Sequence, residues 1–382
     1  THCISSAASD VYKRQVAAAY RAGAHEVVLE WSDQQINKAF LTHTSLERLA
    51  NVPEYDILKA NTLMANNASR ISLVSQDPDG LAGVDSTRLQ TMTKANQKAF
   101  TSVREATMKD DISWLVVAAA GQAWAEKVFP DLSGQAAVNR LWEEILKDVR
   151  IDDTSDAIDH WNHHIKKLQA KADWLNQQNF KALHYKNAKS DFTIGLAEGH
   201  IWEAAISQDK AGNIFIPNMP TEEVFTAPDN RHIDGHVAAT MPLSYQGNLI
   251  DNIALDFKDG RIIDATATRG ENVLKQLIET DDGSKSLGEV SLVPDPSPIS
   301  QSGILFYNTL FDENASDHLA IGAAYASNIS DGKTASPESL ASRGWNISDV
   351  HVDFMIGSSD MMIDGITQDN HSVPVFRNGD WA

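Results

Sequence analysis

The spacing of apolar positions divides the chain into two regions of different character. Up to about residue 180, short apolar runs alternate with longer stretches of helical periodicity. This pattern predicts strands at 26–30, 71–74 and 112–118, and helices from 33 onward, over about 86–107, and over 135–148 and 155–178. Strands that alternate with helices are typical of an α/β domain with a largely parallel sheet.

Beyond residue 180 the strand pattern dominates. It predicts strands at 192–196, 288–293 and 350–357, a hairpin at 255–263 that turns at Asp259 and Gly260, and a helix at 269–280. The predicted fold class is therefore α/β plus α+β. An N-terminal α/β domain covers 16–185, and a β-rich mixed domain covers 186–382.

The Ala-rich stretch 315–328 contains no proline and follows residues that favour helix N-caps, so it is predicted to be a helix. On a helix, His318 and Tyr325 would face the same way about 10 Å apart, with Gly322 between them. One interpretation is the floor of a metal and substrate site. The alternative is a buried histidine that packs near a core tyrosine.

Other polar residues stand out of phase with apolar neighbours. His351 and Asp353 occupy alternate positions of a predicted strand and so share one face, although an exposed polar face would give the same pattern. Glu289 is placed similarly in its own strand. Glu222 and Glu223 form an acidic pair in an apolar stretch, which is more often exposed or close to a helix N-terminus.

Composition narrows the range of partners. The net charge of −20 argues against binding to nucleic acid and fits a carboxylate-rich site for cations. Cys3 is the single cysteine, so the sequence predicts no internal disulfide, thiolate zinc cluster or cysteine nucleophile. We expect a reducing, cytoplasmic location and no membrane span, since no run of about 18 apolar residues occurs.

Two histidine patterns were tested as metal motifs. His25 and Glu26 begin a zinc-protease pattern, but Leu29 stands where the second histidine is required, in a predicted strand. His163 and His164 are adjacent, so on a helix they point about 100° apart and cannot readily share a metal. We interpret them as part of a solvated face.

The first fifteen residues lack both an initiator methionine and a clear periodicity. Residues 6–15 resemble translated adapter read-through, so residues 1–15 are interpreted as a non-native segment that is dispensable for the fold.

Four segments carry a family resemblance: N-M-P-T-E-E-V-F-T, L-G-E-V-S-L-V-P, F-D-E-N-A-S-D-H-L-A-I-G-A-A-Y and H-V-D-F-M-I-G. They resemble the signature segments of the thermophilic-type metallo-aminopeptidases, the aminopeptidase T and aminopeptidase S family, and the likeness runs from Ala17 to Trp381. The resemblance implies a C-terminal domain that binds two divalent metals and removes N-terminal residues from short peptides. It also implies a homodimer, and a family opening helix and strand that are missing before Val16.

Carried over by motif, the resemblance implies Tyr325 as the catalytic tyrosine and six metal ligands: Glu223, Glu289, Glu313, His318, His351 and Asp353. Carboxylates and imidazoles suit Zn²⁺, Co²⁺, Mn²⁺ or Mg²⁺. Glu289 is our candidate for a carboxylate that bridges the two metals, and Tyr325 for a donor to the oxyanion. Glu222 is the candidate general base for the water proton.

Two other functions stay open at this level. Another dinuclear hydrolase, acting on amides or phosphoesters, could use the same ligands; the lack of a basic cluster near the motifs, with Arg343 the nearest candidate, counts against phosphoesters. A metal-binding protein without turnover would not need Tyr325.

Overall fold

The computed structural model describes residues 6–153 and 156–382, with side chains from residue 11 onward. Its helices are α1 Ser6–Arg21, α2 Gln34–His43, α3 Leu46–Leu49, α4 Glu54–Ala65, α5 Ser86–Ala99, α6 Thr101–Met108, α7 Gln122–Val128, α8 Gly134–Asp148, α9 Ala157–Gln178, α10 Glu271–Ile278, α11 Pro298–Ser302, α12 Thr309–Asp312 and α13 Pro337–Ser342. Single 3₁₀ turns lie at Gly283–Lys285, Glu313–Ala315 and Ala326–Asn328.

The strands are β1 Arg70–Val74, β2 Trp114–Ala118, β3 Ala182–Lys186, β4 Asp191–Leu196, β5 Glu203–Ala204, β6 Ser207–Gln208, β7 Ile214–Phe215, β8 Asn218–Met219, β9 Val224–Thr226, β10 Pro228–Ala238, β11 Leu243–Tyr245, β12 Asn248–Ile250, β13 Ala254–Lys258, β14 Arg261–Thr266, β15 Leu287–Leu292, β16 His318–Gly322, β17 His351–Met355, β18 Met362–Ile366, β19 Ser372–Arg377 and β20 Asp380–Trp381.

The N-terminal region contains the parallel sheet that the sequence predicts. Strands β1 and β2 pair in parallel, with Ile71 opposite Leu115, and β8 continues the sheet in parallel beside β2. Because β8 comes from residues 218–219, the C-terminal region completes this sheet. The proposed boundary at 185 and 186 stays a prediction.

The C-terminal region consists mainly of two antiparallel sheets. One has eight strands in the order β14-β13-β10-β4-β3-β18-β19-β20, and the other has five in the order β17-β16-β15-β9-β5. The largest apolar cluster joins residues of both sheets, such as Ile194 and Leu255 from one and Leu319 and Phe354 from the other. The sheets therefore share one core, which holds the five-stranded sheet rigidly by one of its faces.

A second cluster joins the N-terminal helices to the segment that precedes β16. Trp124 of α7 is buried, its ring lies 5.9 Å from that of Phe311, and its Nε1 donates to the carbonyl of Phe306 at 2.6 Å. The helices of the first region thus support the turn that leads to His318.

The helix predicted over 315–328 is wrong. Residues His318–Gly322 form a strand between β15 and β17, and every residue in it is buried. Short apolar runs do not distinguish a buried strand from a buried helix by periodicity. Hydrogen bonding on both sides outweighs the helix propensity of alanine, which amounts to a few tenths of a kcal/mol per residue.

Two other local predictions also differ. Residues 26–30 form no strand, and Val28 and Leu29 are exposed, because an apolar run without a pairing neighbour does not define a strand. The helix predicted over 86–107 is divided at Phe100 into α5 and α6. Strand β2 lies in the predicted place and is mostly half-buried.

Helix α1 begins inside the segment interpreted as non-native, while residues 1–5 lie outside the described residues. That interpretation stays a prediction. Within residues 6–153 and 156–382, no helix has the length and apolar character to cross a membrane.

Candidate metal centre

Three neighbouring strands of the five-stranded sheet carry four of the predicted ligands. Glu289 on β15 and Asp353 on β17 both stand opposite Ala320 of the central strand β16. His318 begins β16, and His351 lies two residues before Asp353. Since alternate residues and directly opposed residues share a face, all four side chains project from the same face.

Gly322 has a different role from the predicted one. It is the cross-strand partner of His351, its φ is 106°, and a Cβ there would overlap the carbonyl of Val350. The backbone requires glycine at this point because β16 and the chain before β17 approach closely.

Glu223 reaches the same place from a loop. It immediately precedes β9, and β9 pairs with β15 so that Phe225 stands opposite Ser291. The hydroxyl of Ser291 donates to Glu223 Oε2 at 2.9 Å. The acidic pair Glu222 and Glu223 therefore lies on a loop that enters a strand, and both residues are buried rather than exposed.

The distances define two overlapping groups. His318 Nε2 lies 3.1 Å from Glu223 Oε2 and 3.4 Å from Glu289 Oε1. His351 Nε2 lies 3.6 Å from Glu289 Oε2 and 3.5 Å from Asp353 Oδ1. In each group the ligand atoms lie within 4.8 Å of one another, and Glu289 belongs to both groups through its two oxygens.

Both imidazoles are oriented by backbone carbonyls. His318 Nδ1 lies 3.0 Å from the oxygen of Ser316, and His351 Nδ1 lies 2.7 Å from that of Ala323. A carbonyl only accepts, so each Nδ1 donates and the neutral ring presents the lone pair of Nε2 to the carboxylates. Acceptors that face acceptors require a cation or extra protons between them.

The pKa shifts of the two histidines also indicate that a cation or extra protons lie between the imidazoles and the carboxylates. Burial opposes protonation of His318, but its bonds to Glu223 and Glu289 outweigh burial and raise its pKa well above the usual range. Burial likewise opposes the charged form of His351, yet Asp353 and Glu289 raise its pKa to about 10. Without metal, the site therefore retains protons on its imidazoles.

The surroundings of two carboxylates, those of Glu313 and Asp353, also favour a cation in the site. Burial raises the pKa of Glu313 well above its usual value, and the charges of Asp353 and Glu223 raise it further. Oδ1 of Asp353 is buried and has no hydrogen-bond partner within residues 6–153 and 156–382. A donor set of this kind, with an orphaned carboxylate oxygen and paired imidazoles, fits divalent cations.

A cavity of about 700 Å³, measured with its open mouth, brings the predicted residues together. It is lined by Tyr325 and by all six predicted ligands: Glu223, Glu289, Glu313, His318, His351 and Asp353. Its walls also include Met108, Asp110 and Trp114, which come from the N-terminal region and carry no sequence signal of a site.

Tyr325 lies beyond β16 in extended backbone, not on a helix. Its ring contacts those of His351 and Phe225 edge to face, with centroids 5.0 Å and 6.1 Å apart. Burial, assisted by the charge of Glu289, raises the pKa of its hydroxyl well above the usual range. The phenol therefore stays protonated and can act as a hydrogen-bond donor.

Glu222 is the one predicted site residue that the structure places outside the cavity lining. Arg150 Nη2 lies 2.6 Å from its Oε1 and 2.7 Å from its Oε2, and burial raises the pKa of Glu222 despite this ion pair. The backbone N–H of Glu222 donates to Asn314 Oδ1 at 2.7 Å. Its role as general base stays a prediction.

The interpretation of His164 as part of a solvated face is wrong, although His163 is exposed. His164 Nε2 donates to the carbonyl of Thr221 at 2.7 Å. Burial, with the nearby charge of Arg150, lowers its pKa to about 4, so the ring is neutral. His164 and Arg150 together hold the loop that carries Glu223.

The expectation that Arg343 is the basic residue nearest the motifs is also wrong, because Arg150 contacts Glu222 directly. Arg343 donates to the carbonyl of Ser330 at 2.8 Å and does not line the cavity. Lys333 instead donates to Asp110 in the cavity wall at 3.0 Å.

The two groups of imidazole and carboxylate ligands have Glu289 in common, and a protonated tyrosine lies beside them. This arrangement defines the site of a metal-dependent hydrolase. Comparison with known proteins then places the chain within that class. The family model described as "Thermophilic metalloprotease (M29)" matches residues 4–381, and the chain belongs to this family. It is a metal-dependent aminopeptidase, which hydrolyses peptide bonds at the N-terminus.

Relatives of this family align with almost the whole chain. Aminopeptidase PepS of Streptococcus thermophilus is 50% identical over 368 residues, which is 96% of this chain and 89% of that protein. Aminopeptidase AmpS of Bacillus subtilis is 48% identical over 373 residues, 98% of this chain and 91% of that protein. The solved structure of wild-type AmpT from Thermus thermophilus superposes with a TM-score of 0.91 at 37% identity, covering 98% of this chain and 91% of that one. The resemblance and the predicted fold class are confirmed.

Proposed function

We propose that this aminopeptidase holds two divalent cations, drawn from zinc, cobalt, manganese and magnesium, in adjoining positions that share Glu289. The observation that carries the proposal is the division of this carboxylate, since Oε1 faces His318 and Oε2 faces His351. Glu223 joins the first group and Asp353 the second. Glu313 lies in the same cavity, where the charges of Glu223 and Asp353 act on it, and is proposed as the sixth ligand.

Cations held by these ligands would supply Lewis acidity, which would polarise a peptide carbonyl and lower the pKa of a bound water to about 7. The chain itself contributes the arrangement around that chemistry. The carbonyls of Ser316 and Ala323 hold both imidazoles with Nε2 toward the cavity, and Ser291 fixes one oxygen of Glu223. Such supporting contacts keep ligands at their working positions.

Tyr325 is proposed as the donor to the oxyanion that develops on the scissile carbonyl. Its raised pKa keeps the proton on the phenol, and its contact with the ring of His351 places it beside the ligands. A donor aimed at developing charge in a cavity shielded from water contributes mainly to the transition state.

For Glu222, the contact with Arg150 favours an anchoring role over proton transfer. The ion pair attaches the loop that carries Glu223 to the end of α8, and Asn314 attaches it to the segment that carries Glu313. A general base must reach the proton that it removes. The carboxylate of Glu222 is directed to Arg150 instead.

The test compares aminoacyl chromogenic substrates with the same compounds N-acetylated, with and without added metal. We expect cleavage only of the free-amine substrates, abolished by chelation and restored by a divalent cation, with two ions per chain by elemental analysis. Cleavage of phosphoesters in preference to peptides would favour the other dinuclear hydrolases. Metal binding without turnover would leave a binding protein, and a single ion at full activity would exclude the two-metal site.

Finer properties are also proposals. Short peptides as substrates and a homodimeric assembly are supported by the resemblance, and a cytoplasmic location by the single cysteine in 382 residues. Light scattering on the eluting protein should give twice the mass of 41.9 kDa. A monomer would exclude the dimer.

A further inference from the structure

Two carboxylates of the cavity wall, those of Asp110 and Glu203, have no part in the proposed metal centre. Glu203 lies on the edge strand β5, opposite Phe225 of β9, and lines the same cavity as the ligands. The charged groups that act on it are Asp110 and Lys333, and none is a proposed ligand. Glu203 therefore lines the same cavity as the ligands without belonging to either ligand group.

The side chain of Glu203 is held on one oxygen only. Oε2 accepts from the hydroxyl of Ser327 at 2.6 Å and from Nδ2 of Asn328 at 3.1 Å. Within residues 6–153 and 156–382, Oε1 accepts no hydrogen bond. Ser327 also lines the cavity and lies two residues after Tyr325, so one loop carries the proposed oxyanion donor and positions Glu203.

The neighbouring charges leave this oxygen without a cation. Asp110 accepts from Lys333 Nζ at 3.0 Å and from Trp114 Nε1 at 3.1 Å, so Lys333 is already paired. Burial raises the pKa of Glu203 to about 6 although Ser327 opposes the shift, so the carboxylate is charged at neutral pH. A half-buried carboxylate that is held in place through one oxygen and has a vacant acceptor on the other favours a cationic partner.

We propose that Glu203 is a specificity-determining residue that binds the charged side chain of a lysine or arginine next to the scissile bond. The inference rests on the proposed function. The α-ammonium group fits less well, because it is two bonds from the scissile carbonyl carbon and so must lie beside the metal ligands. The charged group of a basic side chain instead lies at the end of a flexible stem, away from the peptide backbone.

The walls near Glu203 suit such a stem. Trp114, Met108 and Phe225 line the cavity with half-buried apolar surface. Lysine and arginine commonly lay their methylene groups along apolar surface, and their cationic ends are attracted to aromatic faces. The cavity thus offers an apolar path that ends at a carboxylate.

The test compares arginine with citrulline, its uncharged isostere, placed on either side of the scissile bond in otherwise identical peptides. For the wild-type enzyme we expect kcat/KM to be higher for arginine at one of the two positions. Glu203→Gln keeps an acceptor for Ser327 and removes the charge, and we expect it to reduce that preference about 10- to 100-fold.

The matched control is Glu198→Gln, which removes an equal charge from an exposed glutamate five positions away. Because the chain carries −20, a general attraction of cations would weaken equally in both variants. Preference lost in Glu203→Gln and retained in Glu198→Gln supports the proposal, and equal losses overturn it.

The wild-type comparison needs no variant, so a Glu203→Gln protein that fails to fold leaves the proposal testable. If arginine and citrulline peptides are cleaved equally at both positions, the proposal is overturned while the aminopeptidase activity stands. If no free-amine peptide is cleaved with metal present, the proposed function itself fails.

Discussion

Replacing Tyr325 with phenylalanine deletes one hydroxyl from the cavity and keeps the ring. The ring contacts with His351 and Phe225 are edge-to-face contacts of the aromatic carbons, so they survive the change. We expect the free energy of unfolding to change by less than about 1 kcal/mol, because the substitution leaves no void in the packing. Metal content should stay the same, because Tyr325 is not one of the six proposed ligands and phenylalanine leaves their groups intact.

The catalytic loss should be large by comparison. Removing one donor to an oxyanion typically lowers kcat by about 10²–10³-fold, or about 3–4 kcal/mol of transition-state stabilisation. The donor in this cavity is protonated and partly shielded from water, which places the expected loss within that range. The assay is steady-state cleavage of a leucyl anilide, with metal content and melting temperature measured on the same sample.

Two further variants isolate the effect. His351→Ala should lower metal occupancy. The change removes the Nε2 ligand atom, and it removes the imidazole that faces the negative charges of Glu289 and Asp353. Tyr185→Phe removes a buried hydroxyl that lies outside the cavity lining and has no hydrogen-bond partner among the described residues, so it should retain wild-type kcat. A Tyr325→Phe enzyme with wild-type kcat would return Tyr325 to a packing role and refute the reasoning.

Three other predictions follow from the same geometry. The pKa of His351 is about 10 without metal, so at pH 8 metal binding should release protons and affinity should fall as the pH is lowered; calorimetry in buffers of different ionisation enthalpy measures this. Arg150→Met should destabilise the protein by about 3 kcal/mol, because it leaves the buried carboxylate of Glu222 unpaired, while Glu222→Gln should lower kcat less than tenfold. Gly322→Ala should lower both the melting temperature and metal occupancy, because its Cβ would overlap the carbonyl of Val350 at a φ of 106°.

Each of these has an outcome that would contradict it. Metal binding without net proton release would mean that His351 is neutral in the metal-free protein. A fall in kcat of about 10²–10⁴ in Glu222→Gln, with metal retained, would instead establish Glu222 as the general base. A Gly322→Ala protein with wild-type stability would show that β16 and the chain before β17 can separate.

Elements with an unambiguous hydrophobic period can be predicted from the amino-acid sequence alone. His351 and Asp353 share a face of β17 as predicted, because successive side chains of a strand alternate between faces by covalent geometry. The hairpin of β13 and β14 turns at Asp259 and Gly260, both with positive φ, as this residue pair predicts. The ligand set came from family resemblance rather than spacing, and its six residues line one cavity.

The secondary structure of residues 315–328 depends on contacts with distant strands. Alanine and leucine near His318 favour a helix locally, yet β15 and β17 each pair with residues 318–322. Strand partners more than twenty positions away supply hydrogen bonds on both sides, and burial of Leu319 and Ile321 in the shared core adds to them. A local window of sequence contains none of these partners.

The same reason explains the residues that sequence analysis missed. Arg150 meets Glu222 across 72 positions, and Met108, Asp110 and Trp114 form part of a wall whose other residues follow position 200. His164 is buried because α9 lies against the loop of Thr221, whereas its own helix gives no sign of it. Periodicity reports which face of an element is apolar. Which distant element covers that face depends on how the whole core packs.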